Sequence, residues 1–175
     1  MTLPLVVVSS LTGNTRIVAH ALADEIKQAR YVDLDGDGLT SEELQNYDPV
    51  ILCFWNDKGQ APEKMKAFAS GLSGKQIACF ATLGGNPESE HSQAWIQKAA
   101  VELASLGKGN RLVTTFLCRG KISDEVFDFM TQMAGGVVSP ERLATKLASD
   151  THPDRLDVLN AVKAYRKAFE KTSAA

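Results

Sequence analysis

The sequence has no long apolar run and little net charge, and both shortages exclude classes of protein. No stretch approaches the roughly 20 apolar residues that a membrane-spanning helix needs. The first nine residues lack the basic segment of a secretory signal and run directly into strand-like sequence. A formal net charge of −2 differs from the strongly basic character of nucleic-acid-binding proteins. We therefore expect a cytoplasmic protein that binds neither membranes nor nucleic acid.

Cysteine is also scarce. Cys53, Cys79 and Cys118 are odd in number and widely separated, which argues against a disulfide framework and against a zinc cluster. Each lies in an apolar run of strand length, so we predict three small, buried hydrophobic side chains. Cys118, at the end of its run, is the one with a chance of facing a site.

Two other groups of residues suggest chemistry that the sequence does not support. His20, His91 and His152 form no triad or metal-binding pattern, and we predict surface or packing roles, with His91 as a candidate proton donor. Residues 33–44 resemble a calcium-binding EF-hand loop, but Leu44 occupies the position of the essential glutamate. We therefore predict a solvated acidic turn and assign no metal ligand.

Apolar runs alternate with segments of helical periodicity, which indicates an α/β fold with a parallel sheet. The predicted strands are residues 3–8, 31–34, 50–55, 77–82 and 112–118. The predicted helices are residues 14–29, 62–70, 90–105, 124–133, 140–148 and 154–171. We predict one domain over residues 1–175, a three-layer sandwich with strand order 2-1-3-4-5.

The segment 119–150 exceeds what a minimal fold of this order needs. It carries Phe127, Phe129, Met130 and Met133 on its first predicted helix. We expect this segment to pack on the core, with the alternative that it covers a substrate or partner site.

The loop between the first strand and the first helix reads Ser9-Ser10-Leu11-Thr12-Gly13-Asn14-Thr15. Open α/β sheets bind ligands at this edge, and hydroxyls with the free N–H groups of a helix start suit a phosphate. The loop lacks both Gly-x-Gly-x-x-Gly and the lysine of a P-loop, which favours one terminal phosphate monoester over a polyphosphate. The alternative is that Thr12 and Asn14 only cap the helix.

Ser10-x-Thr12-Gly13-Asn14-Thr15 resembles the FMN phosphate-binding loop of flavodoxins, T/S-x-T-G-x-T, which lies at the same place. The resemblance covers the order of elements up to about Cys118. Within that superfamily the chain is similar to proteins with three further motifs. In this chain the three motifs are Trp55-Asn56-Asp57-Lys58-Gly59, Thr82-Leu83-Gly84 and Phe116-Leu117-Cys118-Arg119-Gly120-Lys121. The resemblance implies a flavodoxin-like fold that holds FMN non-covalently.

A flavin ring needs apolar groups on its faces and polar groups at its pyrimidine edge. The loops after the third and fourth predicted strands are placed to supply them. The candidates are Phe54, Trp55, Asn56, Asp57, Lys58, Gly59, Thr82, Leu83, Gly84, Gly85 and Asn86. We predict that Trp55 lies against the ring, with a core position as the alternative.

Two details of these loops depend on the resemblance. It implies that Gly59 lets a peptide turn toward flavin N5, although a plain turn residue fits the sequence equally well. The negative charge of Asp57 would lower the potential of the flavin's second reduction, and the positive charge of Lys58 would offset that effect. Flavodoxins often carry a tyrosine after the fourth strand. This chain has none there, so Leu83, a partner or a substrate would cover the second ring face.

The resemblance leaves two functions open. We favour an electron carrier that works in one-electron steps and docks redox partner proteins at the flavin edge. The alternative is an FMN-dependent oxidoreductase, or the flavin subunit of a reductase, acting on a quinone- or tetrapyrrole-like substrate. The small net charge counts against the carrier, because acidic flavodoxins dock by electrostatic steering. We expect a monomer or weak homodimer and assign no catalytic residue.

Overall fold

A computed structural model describes residues 2–170, and a five-stranded parallel sheet forms its centre. The strands are β1 (Leu3–Val8), β2 (Arg30–Asp33), β3 (Tyr47–Trp55), β4 (Gln76–Leu83) and β5 (Arg111–Arg119). They lie in the order β2-β1-β3-β4-β5, and every neighbouring pair is parallel. The predicted fold class and strand order are confirmed.

Helices cover both faces of the sheet. In the described part of the chain they are α1 (Asn14–Glu25), α2 (Ser41–Leu44), α3 (Glu63–Ser70), α4 (Glu90–Leu106), α5 (Asp124–Met133), α6 (Pro140–Ser149) and α7 (Arg155–Phe169). Helices α1 and α7 enclose one apolar core against the sheet, and α3 and α4 enclose the other. Within residues 2–170, no helix has the length and apolar character that crossing a membrane requires.

The strands β1, β3 and β4 read as apolar runs because both of their faces are buried, whereas the edge strands β2 and β5 are only partly buried. Leu5 of β1 packs in the core under α3 and α4, and its neighbour Val6 packs in the core under α1 and α7. Both side chains are 0% exposed. Because these strands are parallel, the carboxyl ends of β1, β3, β4 and β5 lie at the same edge of the sheet.

The three cysteines are free thiols inside this core. Cys53 and Cys79 are 0% exposed, and Cys118 is 2% exposed. Burial raises the pKa of each thiol well above its ordinary value, so all three remain protonated and poorly nucleophilic. The prediction of buried hydrophobic side chains is confirmed for Cys118 as well.

Several predicted boundaries are wrong by a few residues. The first helix ends at Glu25 rather than at residue 29, because Ile26 takes an extended backbone and Gln28 a positive φ. Pro62 precedes α3 as its N-cap instead of lying in the first turn. The short helix α2 was not predicted. The final helix ends at Phe169, and residue 171 of its predicted range lies outside the described residues.

Candidate functional site

A cavity of about 340 Å³ lies at the carboxyl edge of the sheet, within the size range of small-molecule sites. Its walls come from the loops after β1, β3, β4 and β5, together with residues of α5 and α6. Of the predicted site residues, it brings together Ser10, Leu11, Thr12, Asn14, Thr15, Trp55, Asn56, Thr82, Leu83, Gly84 and Gly85.

Hydrogen bonds within the loop after β1 fix its shape. The Gly13 N–H donates to Ser10 Oγ at 3.1 Å, and Asn14 Nδ2 donates to Thr12 Oγ1 at 3.2 Å. Gly13 has a φ of +97°, a left-handed conformation that glycine adopts without a steric penalty. Ser9 and Ser10 are buried beneath this turn. The loop therefore presents its remaining polar groups to the cavity in a fixed arrangement.

The first turn of α1 is open to an anion. Side chains cap five other helices, at Thr40, Ser89, Ser123, Ser139 and Asp154. Among the described residues no side chain caps α1, and its first turn contains no acidic residue. The alternative in which Thr12 and Asn14 only cap this helix is therefore wrong. Uncapped N–H groups and a helix dipole form the donor set that a phosphate requires, so these residues fit the phosphate of FMN.

Trp55 lines the cavity, while Phe54 lies on the other face of the sheet, in the core under α3 and α4. Successive residues of a strand point to opposite faces, so only one of the two reaches this side. Phe54 is 0% exposed, and its ring meets Trp95 edge-on with the ring centroids 6.1 Å apart. Phe54 is therefore a core residue, and its expected place in the cavity wall is corrected.

Residues 57–60 form a tight turn outside the cavity. The N–H of Asp57 donates to the Gln60 carbonyl at 2.9 Å, and the Gln60 N–H donates back at 3.0 Å. Positive φ angles of 52° at Lys58 and 84° at Gly59 indicate a type I′ turn. Lys58 and Gly59 line a separate cavity of about 220 Å³ beside α4. The candidates outside the main cavity wall are thus Ser9, Gly13, Phe54, Asp57, Lys58, Gly59 and Asn86.

The structure adds seven residues to this wall that the sequence interpretation did not place there. They are Gly120, Lys121, Ile122, Ser123, Val126, Met130 and Thr145. The sequence could have predicted the residues of the loop after β5, since this strand ends at the same edge of the sheet as β1, β3 and β4. Among the described residues that line the cavity, Lys121 alone carries a charge, and that charge is positive.

The expectation that segment 119–150 packs on the core is wrong. All ten residues of α5 remain at least partly exposed. Phe129 is 60% exposed and Met133 is 74% exposed. The two buried residues of α6, Lys146 and Ser149, are polar. The segment therefore covers part of the cavity and presents apolar side chains to solvent.

The histidines and the acidic loop lie away from this chemistry. His91 is exposed and does not line the cavity, and His20 stacks on Tyr31 with ring centroids 4.2 Å apart. His152 Nδ1 lies 2.6 Å from a carboxylate oxygen of Asp157. In the acidic loop, Asp33 and Asp35 form ion pairs with Arg16 of α1 at 2.6 and 2.8 Å.

The chain is similar to known proteins in sequence and in fold. The family model described as "Flavodoxin domain" matches residues 5–166. The flavodoxin-like domain-containing protein BilS of Clostridioides difficile (strain CD3) is 29% identical over 165 residues, which cover 90% of each chain.

Two solved structures share the fold at lower identity. Oxidised Flavodoxin 2 from Bacillus cereus has a TM-score of 0.57 at 18% identity, covering 97% of this chain and 98% of its own. A flavoprotein in complex with FMN from Lactobacillus acidophilus has a TM-score of 0.53 at 14% identity, covering 67% of this chain and 93% of its own.

Proposed function

The chain belongs to the flavodoxin-domain family, and on that premise we propose that it binds FMN non-covalently and transfers electrons through it. One observation carries this proposal: a single cavity joins the uncapped first turn of α1 to the aromatic side chain of Trp55. Phosphate and ring are the two parts of FMN that a protein must hold. Bound there, FMN would supply a ring that accepts and returns electrons.

The side chains of the cavity suit separate parts of that ligand. The α1 N–H groups and the hydroxyl of Thr12 are available to the phosphate, and Lys121 lines the same main cavity. Trp55 offers an apolar face for the ring. Gly84 and Gly85 let backbone groups come close to a flat ligand, which suits the polar edge of the ring.

We propose the electron carrier as the first candidate function, with partner proteins docking beside the cavity. The support is the apolar surface of the segment 119–150, where Phe129, Met133 and Val137 are 60%, 74% and 71% exposed. Large exposed apolar side chains next to a ligand site are typical of interaction surfaces. Because the net charge is only −2, docking would depend on apolar contact more than on electrostatic steering.

A second cavity favours the oxidoreductase as an alternative. It has a volume of about 240 Å³ and includes Phe127, Thr131 and Arg142 in its lining. It shares Ile122, Met130 and Thr145 with the main cavity, so a small conjugated acceptor bound there would lie next to the flavin. Arg142 would pair with an acidic group on such a molecule.

The first experiment tests whether the protein binds FMN through its phosphate, which both candidate functions require. The protein, stripped of bound flavin, is titrated with FMN and with riboflavin, which lacks the phosphate. We expect FMN to bind about 10- to 150-fold more tightly, because a hydrogen bond to a charged group contributes about 1.5–3 kcal/mol. Equal affinity for the two ligands would contradict the phosphate site. Failure to bind either one would overturn the whole proposal.

Anaerobic reduction of the FMN-loaded protein then distinguishes the two candidates. Two resolved one-electron stages would support the carrier, while a single two-electron stage with turnover of a quinone would support the oxidoreductase.

A cytoplasmic location and a monomeric or weakly dimeric state belong to the same proposal. The three free thiols suit a reducing compartment. Cell fractionation and light scattering test these two points.

A further inference from the structure

We propose that helix α5 forms the second wall of the flavin site, so that the ring lies between Trp55 on one side and Val126 and Met130 on the other. The inference depends on the proposed binding of FMN. Its starting observation is that these three side chains line one cavity, although they come from β3 and from α5. The loop after β4 offers Leu83 and two glycines there, so no aromatic ring from that loop competes for the position.

One face of α5 is directed at the cavity. Val126 and Met130 are four residues apart and therefore lie one above the other on the helix surface. They are 36% and 48% exposed. Met133 on the same helix is 74% exposed and lies outside this cavity wall. A flat apolar ring would bury the first two side chains, and the Met130 thioether would contact it favourably.

Polar anchors, instead of a hydrophobic core, hold α5 in this place. The backbone N–H of Ile122, just before the helix, donates to the buried hydroxyl of Ser149 at 3.0 Å. The Lys146 ammonium lies 2.6 Å from Asp150 and 3.1 Å from Asp124 in the first turn of α5. These contacts fix the start of α5 against the end of α6. The rest of α5 lacks comparable burial, so a ligand can add to its stability.

The phosphate loop contacts the same segment. Asn14 Nδ2 donates to the backbone carbonyl of Lys121 at 2.9 Å. Gly120 also abuts Asn14, since a Cβ built on Gly120 would lie 2.9 Å from that nitrogen. The first turn of α1 is thus tied directly to the residues that lead into α5. Binding of a phosphate at α1 and of a ring under α5 would therefore reinforce each other.

The test compares two methionines on one helix. Met130→Ala and Met133→Ala are made in the full chain, and the FMN dissociation constant of each is measured by fluorescence. We expect Met130→Ala to raise this constant about tenfold, because it removes apolar area buried against the ring. Met133→Ala should leave it within a factor of two of the unsubstituted chain, as measured in the same titration.

Hydrogen exchange supplies a second readout that does not depend on a substitution. We expect the amides of residues 124–133 to exchange more slowly when FMN is bound, as expected for a segment that the ligand stabilises. Equal dissociation constants for the two variants, together with unchanged exchange in α5, would overturn this inference and leave the proposed function standing. Failure of the unsubstituted chain to bind FMN would overturn the proposed function and this inference together.

Discussion

The side-chain hydroxyls of Thr15 and Thr82 lie 2.9 Å apart, in a part of the molecule where both residues are almost fully buried. Thr15 belongs to the first turn of α1, and Thr82 lies near the carboxyl end of β4. This hydrogen bond joins the phosphate loop to the central sheet directly beside the cavity. It therefore connects the stability of the fold to the geometry of the site.

The first prediction concerns this pair. Thr82→Val leaves the Thr15 hydroxyl buried without its partner, and we expect the free energy of unfolding to fall by about 1–2 kcal/mol. Replacing both threonines by valine removes both buried hydroxyls, so the double variant should lose less than the sum of the single losses. Urea unfolding is measured without ligand for the unsubstituted chain, the two single variants and the double variant. Strict additivity would show that the hydroxyls do not depend on each other.

The predicted fold was correct because its signals are local in sequence. The apolar run over residues 3–8 matches β1 residue for residue, and α5 also has its predicted bounds. The predicted end of α1 failed for a physical reason. Ile26 is 5% exposed and packs in the core, yet its backbone is extended. Apolar spacing reports which side chains are buried, and it does not report the backbone that buries them.

Only part of the candidate site could be predicted from the sequence. The loop at residues 9–15 is continuous in the chain, so its chemistry could be read directly. Val126 and Met130 line a cavity with Trp55, which lies about 70 residues away in sequence, only because the fold brings them together. An amphipathic helix has the same pattern whether its apolar stripe faces a core or a ligand cavity. For that reason the sequence alone favours a core position for α5 over a position covering a site.

The second prediction tests the turn at residues 57–60. Gly59 has a φ of +84°, which an alanine adopts only with strain, so Gly59→Ala should lower the free energy of unfolding by about 1 kcal/mol. We expect its FMN dissociation constant to stay unchanged, because Gly59 lies outside the cavity wall. Gly13→Ala is the comparison. Its φ of +97° lies within the phosphate loop, so it should reduce both stability and FMN affinity.

Calorimetry and fluorescence titration of both variants check these expectations. If Gly59→Ala weakened FMN binding as much as Gly13→Ala, Gly59 would contact the flavin after all. That outcome would favour the role near flavin N5 that the family resemblance implied.

The third prediction concerns acid stability at the end of β2. The Arg16 guanidinium donates a hydrogen bond to Asp33 and lowers the pKa of that carboxyl below its ordinary value of 3.8. A carboxyl whose pKa is lower in the folded state stabilises the protein above its unfolded pKa. This contribution is lost as the pH falls through the folded pKa. The folded protein should therefore lose stability steadily as the pH falls below about 4.

Asp33→Asn isolates this contribution. Asparagine does not titrate, so the variant should be less stable at neutral pH and should lose less stability on acidification. Other carboxyls with lowered pKa values, such as Asp150 and Asp154, contribute equally to both proteins. Their effect cancels when urea unfolding is compared at each pH. Identical pH profiles for the two proteins would show that the Arg16–Asp33 pair makes no net contribution.

The fourth prediction uses two adjacent glycines after β4. A Cβ built on Gly84 would lie 2.5 Å from Ile122 Cγ1, whereas the nearest contact of a Cβ on Gly85 is 3.6 Å, to Leu83 Cδ1. The Ile122 backbone is held by Ser149, so the new methyl group in Gly84→Ala should push Ile122 and the start of α5 away from the cavity. We expect a loss of about 1–3 kcal/mol in the free energy of unfolding, typical of overpacking, and weaker FMN binding.

Gly85→Ala is the matched control, with the same added methyl group at an ordinary van der Waals distance. Its unfolding midpoint should stay close to that of the unsubstituted chain, and its loss of FMN affinity should be smaller than that of Gly84→Ala. Denaturant unfolding followed by FMN titration of the two variants gives the comparison. If Gly84→Ala lost stability but kept its FMN affinity, the contact between Ile122 and the β4 loop would stabilise the fold without setting the position of α5. If both variants behaved alike, Ile122 would be free to rotate away, and the close approach at Gly84 would not be needed.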